Sequence, residues 1–232
     1  MAQVQTAVDA FISQIEEIET NFNKKLSVAV NNLSKLSETE LINATAQLNL
    51  FNEIIQEGYG EALNRLDGEY AKLLDEAIKL GASKGLTPLG GAGFQGLEVL
   101  RDLNTETLLG RARDYSNLLT TQLFQNLYAG VPVNQIIAGL ETIPLATHQL
   151  NVATYTGIKT FDDSARYQVF KGQKVKWTYL GPLDNRTRDK CRETIENEPP
   201  GGYTEKQINS RLVDTKFGTR GGFNCRPSWE VK

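Results

Sequence analysis

Between Val4 and Phe22 the large apolar residues fall at Val4, Val8, Phe11, Ile15, Ile18 and Phe22, in alternating steps of four and three. That spacing brings one helical face back to the same side every two turns, the pattern of a seam that packs on another helix. The seam loosens at Lys25 and continues through Ala29 and Leu33. Ser37-Glu-Thr-Glu40 then has the spacing of a capping box, which opens a second helix. The same period recurs at Leu41, Thr45, Leu48, Ile55, Tyr59, Ala62, Leu66, Tyr70, Leu73 and Ala77. At ~1.5 Å per residue this second helix would extend about 60 Å. Residues 1–80 are therefore expected to form a long antiparallel helical hairpin whose apolar stripe is buried by the second helix or by another subunit. Gly58, Gly60 and Gly68 weaken the middle of the second helix, so a kink is expected there.

Six glycines occupy the sixteen positions of residues 81–96, which predicts a flexible linker and the main domain boundary. A phosphate-binding loop is the sharper reading of so many glycines, but no Gly-Lys-Ser/Thr ending follows them. Over residues 97–172 the pattern is helical. Leu108, Leu109, Ala112, Tyr115, Leu118, Leu119, Leu123 and Leu127 mark one helix, capped at Asn104 or Thr105 and ended by Gly130 and Pro132. Val133, Ile136, Ile137 and Leu140 mark a short helix, and another runs from about Leu145 to Phe170 with Gly172 as its stop. Residues 173–232 change character: Lys174 to Leu180 alternates as a strand, and Phe223 to Val231 is a candidate closing strand. The fold class expected is mostly α with a small β-containing C-terminal module, an α+β chain.

Composition narrows the function classes. With 232 residues and 40% apolar side chains the chain can bury a core of modest size. No apolar run approaches the ~20 residues needed to cross a bilayer, and the start Met1-Ala-Gln-Val-Gln-Thr lacks the features of a signal peptide. A protein made in a cytoplasm, without a membrane partner, is expected. Residues 1–80 hold 6 Lys/Arg against 13 Asp/Glu, a net −7, whereas residues 163–232 hold 14 against 9, a net +5. Such a split fits an acidic arm and a basic module that tolerates phosphate or faces a partner.

The chemistry-bearing residues concentrate near the C-terminus. Trp177 lies in a strand-like run that stops at Gly181-Pro182 and releases Asp184-Asn185-Arg186-Thr187-Arg188, followed by Cys191. Asn224-Cys225-Arg226 answers it some thirty residues later. A short acid among guanidinium groups can tie a loop together by charge-assisted bonds, with Arg226 available to join. The same cluster could stabilise phosphoryl or carboxylate charge in an active site. Cys191 and Cys225 have three readings: a disulfide, half of a metal site, or two buried thiols. The single histidine, His148, has no cysteine or second histidine near it in sequence, so neither a local catalytic dyad nor a His-based zinc site is expected. No cofactor or metal is expected.

The Trp-bearing strand, the Asp-x-Arg-Thr-Arg turn, the Cys and the closing Asn-Cys-Arg together resemble the C-terminal domain of the phage Mu gpF-like, or phage head morphogenesis, family. The resemblance covers roughly residues 105–232 and is most specific at Asp184 to Arg188 and Asn224 to Arg226. Many members of that family carry a His after the turn and a His-Pro before the final Asn-Cys-Arg, whereas this chain has Asp189 to Arg192 and Gly222-Phe223 there. The resemblance implies a minor head protein of a tailed phage, a non-enzymatic virion component associated with the portal or capsid. It implies Cys-bearing segments that lie side by side, a portal or capsid protein as partner, self-association, and non-specific contact with packaged DNA. Two alternatives are an enzyme or toxin-type module using the arginine-rich C-terminus, and a coiled-coil binding protein unrelated to phage.

Overall fold

The computed structural model of the chain describes residues 2–33, 35–86, 90–211, 215–217 and 225–232. Helix α1 spans Ala2–Leu33. Val4, Val8, Phe11, Ile15, Ile18 and Phe22 are all buried within the single chain, as the alternating spacing requires of a packing seam. They are therefore core residues of one molecule, covered by the chain itself. After the turn, the Ser37 backbone N–H donates to the Glu40 carboxylate at 2.9 Å, which places the capping box at the start of α2, Glu38–Gln47. The side chains of Leu41 and Thr45 lie outside the described residues.

The second helix is not continuous, contrary to its apolar period. It breaks after α2, and Asn49 caps a new start by accepting the Asn52 N–H at 3.1 Å, giving α3, Leu50–Ile54. A π-turn over Ile55–Tyr59 follows, with Gly58 at φ 119°, a conformation that a side chain would strain. α4 then runs Gly60–Ser83. The buried positions show what the π-turn does. They step from Leu50 to Ile54, then by five to Tyr59, and resume at Ala62, Leu66, Tyr70, Leu73 and Ala77. The turn absorbs one extra residue and returns the apolar stripe to its face.

The glycine-rich stretch is mostly helical at its ends, which corrects the linker reading. α4 closes at Ser83 with Gly85 at φ 72°; the Leu86 N–H reaches Gly81 O and the Gly85 N–H reaches Ala82 O, a Schellman ending. α5 begins at Gly91 and runs to Tyr128. Asn104 and Thr105, expected as its cap, sit inside it. Gly130, at φ 65°, ends α5 with the same pair of bonds, from Val131 N–H to Asn126 O and from Gly130 N–H to Leu127 O. α6 spans Val133–Glu141, and α7 spans His148–Phe170 with Thr147 accepting the Leu150 N–H at its start. His148 is exposed in the first turn.

The described chain divides into two compact units that interleave along the sequence: residues 5–66 with 105–151, and residues 1–4 with 67–104 and 152–232. This differs from the division by order along the chain that composition suggested. In the first unit the α1 seam meets more than its hairpin partner. Phe11 packs edge-on against Tyr59, Phe22 lies against Tyr115 of α5, and the Glu19 carboxylate accepts the N–H groups of Leu145 and Ala146 at 3.1 Å each. The buried Tyr59 hydroxyl donates to Leu108 O at 2.8 Å, so its polar tip is satisfied inside the core.

The second unit is joined by a close interlock. Asn104 of α5 is buried and its amide donates to the Tyr70 hydroxyl of α4. Gly157 of α7 faces that amide, and a Cβ there would stand 2.0 Å from the Asn104 side-chain oxygen. Tyr70 also packs edge-on against Phe161 at 4.8 Å between centroids. One missing side chain thus lets three helices share a single polar contact.

Candidate functional site

The C-terminal module is built around a short antiparallel pair, β1 (Trp177–Leu180) and β2 (Ser228–Val231), with Trp177 opposite Val231 and Leu180 opposite Ser228. Both strands are shorter than the sequence suggested, and Phe223 and Asn224 lie outside the described residues. Tyr203 bridges β1 on its other side, exchanging both backbone hydrogen bonds with Trp177 at 2.7 and 2.8 Å. Gly202, at φ 95°, allows that approach, since a Cβ would come within 2.7 Å of Trp177 O. Behind the strands Phe170, Trp177, Phe217, Trp229, Tyr179 and Tyr203 form one aromatic cluster with centroid separations of 4.6–5.9 Å. Offset and edge-on rings in this range contribute beyond their buried area. Two tryptophans in one small core explain how so short a sheet is held.

β1 ends at Gly181, which has no room for a side chain: a Cβ would stand 2.6 Å from the ring of Pro227. The turn after it is organised by Asp184 and Thr187. Asp184 Oδ1 accepts the Arg186 backbone N–H at 2.9 Å, an Asx-turn, and the Thr187 hydroxyl donates to Pro182 O at 2.6 Å while accepting the Asp184 N–H at 3.1 Å. Arg226 then grips the carboxylate with both arms, at 2.7 and 2.6 Å. The Arg226 guanidinium, followed by the Arg186 N–H, holds the Asp184 carboxyl well below the usual carboxylate range, and Asp184 in turn raises Arg226. Arg192 adds a bond to the Asp184 carbonyl at 2.7 Å.

The sequence pointed to Asp184 tied by Arg186 and Arg188, with Arg226 available to join. The tie to the carboxylate is made instead by the backbone of Arg186 and the side chain of Arg226, while Arg188 occupies the N-cap of helix α8, Asp189–Glu196. Cys191 lies in the first turns of α8, and its Sγ stands 3.7 Å from Cys225 Sγ. Both are buried thiols that are not joined in a disulfide. The Tyr179 hydroxyl, from β1, touches both sulfurs at 3.7 and 3.4 Å. Burial, with the two thiols next, pushes that phenol far above its ordinary range. Tyr179 was not foreseen as part of this group; the strand alternation that turns Trp177 and Tyr179 to one face was the available signal. Beside the sulfurs lies a cavity of about 230 Å³ lined by Arg186, Thr187, Arg188, Arg226 and both cysteines. Among the described residues no group of three or more His, Cys, Asp or Glu is placed to hold a metal ion.

Another charged cluster escaped the sequence reading. On α7, Lys159 is 1% exposed and pairs with Asp163 at 2.8 Å, while Asp162, 2% exposed, takes Arg166 at 2.9 Å. Buried charges of this kind survive only when paired, and the four sum to zero. Their i,i+4 spacing is plain in the sequence; their burial is not. A third feature is α9, Glu205–Arg211, whose Glu205 ties the module to the end of α7 by accepting the Tyr167 hydroxyl at 2.9 Å and the Gly172 N–H at 2.8 Å.

Compared with known protein families, with curated proteins and with solved structures, the chain matches none.

Proposed function

We propose that the chain is a structural virion protein of a tailed phage, a minor head protein associated with the portal or capsid that acts by contact in head assembly or in genome packaging and ejection. The observation that carries this reading is the use made of the motif residues. Asp184, Thr187 and Arg226 close a turn onto the sheet, Trp177 fills the core, and Cys191 and Cys225 meet beneath them. Residues of restricted type spent on closing a small module suit a part that must keep its shape among neighbours. The net +5 of residues 163–232 suits weak, sequence-independent contact with packaged DNA. Self-association and a portal or capsid partner belong to the same reading.

The test is composition of the particle. Mass spectrometry of purified, DNA-filled particles from cells carrying this gene is expected to find the chain in several copies per head. Its absence from such particles, with the protein confined to the soluble lysate, would overturn the proposal.

A further inference from the structure

We propose that Cys191 and Cys225 form a closable dithiol, an oxidation site entered through the arginine-lined cavity, which anionic low-molecular-weight disulfides convert to an intramolecular disulfide that locks the module.

Three observations carry this. The sulfurs already lie 3.7 Å apart, and the bond at about 2.05 Å requires that they close the remainder by rotation about the Cα–Cβ bonds. The two cysteines sit 34 residues apart on different arms, one on α8 and one leading into β2, so a bond between them ties together segments now joined by the Asp184–Arg226 clasp. And the cavity that borders the buried sulfurs is walled by Arg186, Arg188 and Arg226, which favour approach of a reagent bearing carboxylates. The Tyr179 hydroxyl, in contact with both sulfurs, holds the pair in register while they are reduced.

The chemistry is thiol–disulfide exchange. One cysteine loses its proton and its thiolate attacks a sulfur of the reagent disulfide; the reagent's S–S bond breaks and its first half leaves as a thiolate. The second cysteine, losing its proton, attacks the protein-bound sulfur of the mixed disulfide. The Cys–Cys bond forms and the second half leaves. The protein gives up two protons and two electrons, together two hydrogens, and the reagent becomes two thiols. The exchange chemistry does not rest on the virion reading.

The experiment treats the reduced, folded full-length chain with 5,5′-dithiobis(2-nitrobenzoate), which is anionic, and in parallel with neutral 2-hydroxyethyl disulfide. Expected from the native protein are two equivalents of released thionitrobenzoate and an intact mass lower by two hydrogens with no adduct. Peptide mapping should join Cys191 to Cys225, and the oxidised chain should melt at a higher temperature. The advantage of the anionic over the neutral reagent, relative to their rates with a small free thiol, should be about tenfold or more, the scale of electrostatic steering. It should collapse in the Arg186→Ala, Arg188→Ala variant. Cys191→Ser should halt at a mixed disulfide on Cys225. A stable adduct on the parent protein, or reaction only after unfolding in guanidinium, overturns the dithiol. An anionic preference that survives loss of both arginines overturns the route of entry, and an unchanged melting temperature overturns the lock.

Discussion

Asp184 shows how much of this module depends on one exposed carboxylate. Its charge is held by Arg226 from 42 residues away, and its backbone by Thr187 and Arg192. Because the folded state depresses its pKa, the folded form takes up a proton less readily than the unfolded chain. The stabilisation is therefore complete above the unfolded value of about 3.9 and is lost as pH falls through the folded value. Asp184→Asn keeps the Asx-turn acceptor and removes the charge. It should melt below the parent at pH 7, with the gap narrowing below about pH 4; a gap that is the same at both pH values would show that the charge is not what matters. Asp184 was legible as a tie point because an acid among arginines has few other uses. Its partner was legible only as one option among three arginines, since sequence proximity favoured Arg186 and Arg188 and the packing of the C-terminal strand brings Arg226 across.

At the scale of elements, the glycines separate local from tertiary reasons for a residue. Gly68, in the exposed face of α4, has nothing within 4 Å of where a Cβ would be, whereas Gly157 of α7 faces the Asn104 amide. Gly68→Ala should stabilise the chain by about 0.5–1 kcal/mol by restoring helix propensity. Gly157→Ala should cost about 1–3 kcal/mol, the range for overpacking a well-filled core. Denaturant melts of the two variants check the pair, and equal effects would mean that the interlock of α4, α5 and α7 is not tight. The same contrast explains what the sequence revealed. The α1 seam was legible because its period is local, and the short helix at Val133 and the stop at Gly172 follow from local signals as well. Asn104 was misread as a cap because Asn is a common cap; its amide instead donates to a tyrosine, in a space left by a glycine that only the fold brings near. The break at Asn49 was hidden because apolar spacing continued on both sides of it.

For the whole molecule, the arm expected over residues 1–80 lacks its own complete core. Phe22 needs Tyr115, and Glu19 needs the N–H groups of Leu145 and Ala146. A fragment of residues 1–80 should show far less helix by circular dichroism than its share of the intact chain; a fragment that keeps that share and melts cooperatively would show that the hairpin stands alone. Likewise the C-terminal module leans on α7 through Phe170, Tyr167 and Glu205. Composition could not reveal this, because it reads the chain in order while the two units take their parts alternately. The alternation has a consequence during synthesis. A ribosome delivers residues in one direction, so the unit opened by α1 waits for Asn151, and the other waits longer, until Cys225 and Trp229 have emerged to fill its core. Until Asn151 has emerged, the apolar face of α1 has no completed surface to meet.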